Sequence, residues 1–109
     1  MSFEERSNGS TVIENDSVSM SAATSITFWM TSGTDTATNR YLNIPHNASW
    51  GLEVIPTVAC SISEINGRTL KSALSIGTGG WSSNNMRITR FTINAGSATI
   101  VEVTAKGGA

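Results

Sequence analysis

His46 and Cys60 are the only imidazole and the only thiol in this chain of 109 residues, so the chemistry open to it is narrow. One of each cannot assemble a zinc site of the usual four-ligand composition. A serine-nucleophile triad would have to recruit His46, which lies in "IPHNAS" beside a loop, with no nucleophile motif around it. Cys60 is in phase with apolar neighbours, which reads as a buried, inert thiol. The eight carboxylates are scattered about one to a strand or arm, with no spacing that marks a paired acid site. The glycine clusters "GTGG" and "KGGA" are not followed by Lys-Ser/Thr and a helix, so neither is a phosphate loop. Asn47-Ala48-Ser49 fits a glycosylation acceptor, a pattern too common to carry weight alone. The expectation is a non-enzymatic protein with no cofactor and no metal.

Three tryptophans remain as the residues able to recognise something. In "SITFWMTS" (25–32), Ile26, Phe28 and Met30 share one face of a strand, and Trp29 stands on the other with Ser25, Thr27 and Thr31. Trp50 falls in the loop "HNASWG" and Trp81 in the loop "GTGGWSSNN". Each could cover the rim of a core, anchor a protein interface, or offer a stacking platform to a sugar ring. The reading adopted is that Trp29, Trp50 and Trp81 are interface residues, joined by Phe3, the one sizeable apolar anchor of the polar N-terminal stretch.

The surface implied by composition suits lasting contact. Charged residues make up 14% of the chain, against about 25% in an ordinary globular domain. Polarity comes instead from 16 Ser, 14 Thr and 9 Asn, groups that leave water more cheaply than charges do. A net charge of −1 argues against a dedicated nucleic-acid binder. Arg68, Lys71, Arg87 and Arg90 are the only basic concentration and read as a solvated face. The start, "MSFEERSNGS", carries two acids where a secretion signal would be basic, and no apolar run approaches the roughly 18–20 residues that span a membrane. A soluble protein made in the cytosol is expected.

The elements that must position these residues are strands. A chain of this length folds as one domain, burying roughly 60–70% of its unfolded surface without disulfides. Residues 1–10 read as a polar arm, expected to lie on a neighbouring subunit, and 11–109 as the β domain. From Leu52 to Ile62 the even positions are Leu, Val, Pro, Val, Cys and Ile, a period of two over eleven residues, with Pro56 marking an edge or a bulge. Asn66-Gly67 signals a hairpin between about 57–64 and 68–75. A two-residue turn would set Ile62 against Lys71. A three-residue turn, with Gly67 in the left-handed region, matches the faces and pairs Glu64 with Arg68 and Ile62 with Leu70. Met86 and Ile88 share one phase and Phe91 and Ile93 the other, so a bulge is expected near Thr89 or Arg90. Seven or eight short strands without a helix predict an all-β fold, a β-sandwich or a jelly-roll-like barrel.

This compact, Ser/Thr/Gly-rich, charge-poor chain, with its polar arm and its final "FTINAGSATIVEVTAKGG" hairpin, resembles small structural proteins of tailed bacteriophage virions. The closest types are capsid cement or decoration proteins and the small β-domains of tail fibres. The resemblance implies a homo-oligomer located in the virion that binds between or on major capsid proteins. It carries no site residues with it. The alternative expectation is a carbohydrate- or receptor-binding β-module of tail-fibre or adhesin type, with Trp50 and Trp81 as its stacking surface.

Overall fold

Alternation of apolar and hydroxyl side chains over short runs gives strands with one face for a core and one for water. In the computed structural model, which describes residues 12–84 and 86–107, those runs form β1 (Val12–Met20), β2 (Thr24–Trp29), β3 (Asn39–Tyr41), β4 (Gly51–Pro56), β5 (Cys60–Ile65), β6 (Arg68–Ile76), β7 (Trp81–Ser83), β8 (Arg90–Ala95) and β9 (Thr99–Lys106). The expected arm 1–10 and its Phe3 lie outside the described residues.

The strands make a sandwich of two sheets, ordered β1-β9-β4-β7 and β3-β2-β8-β5-β6. Every pairing is antiparallel except β2 with β3. The inner faces meet in one apolar core, centred on Phe28 and Phe91. These two rings stack across β2 and β8 at 5.1 Å, 9° from parallel. Val54, Val101 and Val103 of the other sheet belong to the same core, and all five residues are fully buried. The all-β sandwich is therefore the architecture expected from the sequence.

Several local expectations are corrected. The regular run from Leu52 to Ile62 is two strands in different sheets: β4 ends at Pro56, the chain bends at Thr57 and Val58, and β5 begins at Cys60. Periodicity survives because both strands keep their even residues inward. Pro56 lies beyond the three residues of β4 that β7 covers, so its missing N–H falls on an open edge.

The hairpin register also differs. Ile65 stands directly opposite Arg68 and Glu64 opposite Thr69, so the turn has two residues. Asn66 and Gly67 both take positive φ, 56° and 85°, as a type I′ turn requires. Faces are matched in mid-strand instead, where Ile62 pairs with Leu74 and Cys60 with Ile76. Leu70 to Ala73 thus bulge opposite the single residue Ser63. Relative to β8, Ser63 is itself an extra residue, and it turns Glu64 to the outer face. There Glu64 pairs with Arg90 and not with Arg68.

The change of phase before β8 is a change of partner rather than a bulge. Ile88 bridges Ser49 on the side of β4, and β8 starts two residues later in the other sheet. Met86 does not share the burial of Ile88: it is exposed, while Ile88 is fully buried. Trp81, expected in a loop, opens the edge strand β7.

Candidate functional site

Trp29 projects from the outer face of β2, because its neighbours Phe28 and Met30 are fully buried on the inner one. Its indole does not stand free. The parallel pairing of β2 with β3 puts Tyr41 beside it, and the two rings lie 5.9 Å apart at 12°. On the other flank, β8 sets Arg90 opposite Trp29, with the guanidinium carbon 4.9 Å from the ring centroid. Trp29 Nε1 donates to Asn39 Oδ1 at 2.9 Å. Gly33 packs so closely on Tyr41 that a Cβ there would fall 2.5 Å from Cδ2. The indole is thus held in one orientation with both faces occupied and only part of the residue in water.

The row continues across the sheet. Arg90 Nε donates to Glu64 Oε2 at 2.9 Å, and Thr92 Oγ1 to Glu64 Oε1 at 2.9 Å. The Gly67 N–H donates to the same carboxylate. Burial pushes the Glu64 carboxyl up, but the hydrogen bonds from Thr92, Arg90 and Gly67, with the charge of Arg90, outweigh it and hold its pKa below the ordinary value. Thr27 and Thr92 share a hydroxyl–hydroxyl bond of 2.8 Å, and Ser25 donates to Asn94 Oδ1. Across β2, β8 and β5 the outer face is a layer of hydroxyls, amides and one ion pair, bonded to one another.

The other tryptophans stand elsewhere. Trp81 belongs to the four-stranded sheet and Trp50 lies in the segment that leads into it, so the structure does not gather the three into one patch. Trp50 precedes β4, is half-buried, and donates its N–H to the Lys106 carbonyl at 3.1 Å. Trp81 pairs with the buried Val54 and packs against the edge of the core. His46 sits exposed in a single 3-10 turn, Pro45–Asn47, at φ 61°. Burial pushes the Cys60 thiol up, away from the reactive thiolate. Ser49, the hydroxyl of the glycosylation pattern, is fully buried and donates to the carbonyls of Gly51 and Lys106. Among the described residues, no group of three or more His, Cys, Asp or Glu is placed to hold a metal, and no helix is long and apolar enough to cross a membrane.

Sequence reasoning missed one feature. At the tip of the β5–β6 hairpin a cleft of about 430 Å³ is lined by Ile65, Asn66, Arg68, Leu70 and Met86. Its roof depends on Asn66, whose amide donates to the Arg87 carbonyl at 2.8 Å and accepts from the Thr89 N–H at 2.7 Å. The turn side chain thereby ties the hairpin to the segment that carries Met86. The sequence carries no signal for it, because Met86 alternates in phase with the buried Ile88 and its exposure is visible only in the fold.

Comparison with known protein families, with characterised proteins and with solved structures yields no match. The geometry of the two surfaces, the Trp29 row and the hairpin cleft, is what any functional reading must use.

Proposed function

We propose that the protein is a non-enzymatic structural component of a virion, of the capsid cement or decoration type, which binds on or between major capsid proteins and stabilises the shell. The observation that carries this reading is the self-bonded outer face around Trp29. Its hydroxyls and amides already hold one another, so another protein can cover them without stranding buried polar groups. The Trp29 indole is fixed before any partner arrives, and a pre-ordered aromatic loses little freedom on binding. Such a surface fits permanent contact better than turnover.

The carbohydrate-binding reading requires an open ring face. Both faces of Trp29 are taken and Trp81 packs on the core, which leaves Trp50 alone for that role. Cosedimentation of the purified protein with capsids from a phage whose genome encodes it tests the proposal. Binding at a fixed ratio to the major capsid protein is the expected result. Saturable binding to a glycan array, without capsid binding, would support the alternative.

A further inference from the structure

The hairpin cleft is apolar on three sides, where Ile65, Leu70 and Met86 line it, and cationic at Arg68. Arg68 has no carboxylate partner among the described residues. Two further cations, Lys71 and Arg87, are exposed and adjacent in sequence to the lining residues Leu70 and Met86. An occupant of matching chemistry is therefore a short segment with one large apolar side chain next to acids. The sequence contains one such segment outside the described residues: Phe3 is followed by Glu4 and Glu5, the only adjacent pair of carboxylates in the chain.

Place in the fold says which copy supplies it. Asp16 on β1 is bonded to Arg40 on β3, so the chain enters the sandwich along the flank of β3. β3 and β6 are the opposite edges of the five-stranded sheet, and the cleft is at β6. Phe3 lies nine residues before Val12, a reach of roughly 30 Å at full extension, while the molecule is 28 by 24 Å across its shorter axes. Reaching its own cleft from the opposite flank would demand a nearly fully extended segment, and reaching a neighbour's would not. We infer that the segment around Phe3-Glu4-Glu5 of one copy docks in the Ile65/Leu70/Met86 cleft of a second copy, with its acids against Arg68. The contact joins two different patches, so two copies can exchange it reciprocally in a closed dimer, or copies can pass it on head-to-tail into a ring where the rotation closes.

Such a contact needs an anchor on one copy and a cleft on the other, a demand that a single self-paired patch does not make. Phe3→Ala keeps a working cleft and loses the anchor; Leu70→Asp keeps the anchor and spoils the cleft. In sedimentation velocity, the wild-type chain should associate reversibly. Each variant alone should associate at least about tenfold more weakly, as expected for loss of a central anchor, with unchanged circular dichroism. An equimolar mixture of the two should form a one-to-one heterodimer, because one good anchor meets one good cleft. A wild-type chain that is monomeric at all concentrations, a Phe3→Ala chain that associates like wild type, or a mixture that forms no heterodimer would overturn the inference. If Leu70→Asp does not fold, Arg68→Glu takes its place, and association should return when it is mixed with a chain carrying Glu4→Lys and Glu5→Lys. Self-association is measured without capsids, so its failure leaves the virion proposal standing, and failure of capsid binding leaves this contact standing.

Discussion

Arg40 and Asp16 join the two sheets along one flank. The Arg40 Nε and Nη2 atoms donate to Asp16 Oδ2 and Oδ1 at 3.1 and 3.0 Å, with side chains only 29% and 24% exposed. β1 and β3 are edge strands of different sheets, so this two-pronged contact holds one side of the sandwich shut. Arg40→Ala should lower the unfolding free energy by about 1–2 kcal/mol. Lysine cannot reproduce the planar fork, so Arg40→Lys should recover less than half of that loss. Urea denaturation of the three proteins measures both effects.

The turn at Asn66-Gly67 is a second point of leverage. At φ 85° a β-branched side chain is strained, and a Cβ on Gly67 would also come within 3.1 Å of Arg90 Nη2. Gly67→Val is expected to cost about 1–2 kcal/mol, read as a shift in the urea midpoint at constant slope.

Glu64 gives a pH dependence of known sign. Its folded pKa lies below the ordinary value, so the folded state releases that proton more readily than the unfolded chain. The stabilisation is complete above the unfolded pKa, about 4.3, and is lost as the pH falls through the lower folded value. Thermal midpoints of wild type and Glu64→Gln should converge as the pH falls below about 4. A gap that stays constant from pH 7 to pH 3 would contradict this assignment.

The contacts that Trp29 makes within its own chain set what its loss costs. Without a cover in its own chain, Trp29→Ala would leave stability nearly untouched, whereas a core tryptophan would cost roughly 3–5 kcal/mol. The contacts with Tyr41, Arg90 and Asn39 place the expected loss between, at about 1–3 kcal/mol. Trp29→Phe keeps an aromatic ring between Tyr41 and Arg90 while losing the bond to Asn39 and part of the stacked area, so it should cost less than Trp29→Ala. Differential scanning calorimetry of both variants distinguishes these values.

What the sequence discloses and what it hides divide along local and long-range lines. Phe28, Met30, Phe91, Ile93, Val101 and Val103 declare their inward faces by alternation with immediate neighbours, and all are fully buried. The conflict of faces at the β5–β6 hairpin was equally legible. Its resolution was not, since a bulge at Leu70–Ala73 and a three-residue turn each set apolar residues opposite one another. Periodicity from Leu52 to Ile62 gives no sign of the jump between sheets, because both strands keep the same phase. The cover over Trp29 comes from Tyr41 by parallel pairing, after an intervening stretch of nine residues (30–38). No short-range pattern reports such a return.

The central claim is that the Trp29 face meets another virion protein. Its most direct measurement is capsid cosedimentation of wild type beside a Trp29→Ala chain shown by calorimetry to remain folded. Wild type should bind at a fixed ratio to the major capsid protein, and Trp29→Ala should bind about tenfold more weakly or worse. Equal binding by the two proteins, or no binding by wild type, would contradict it.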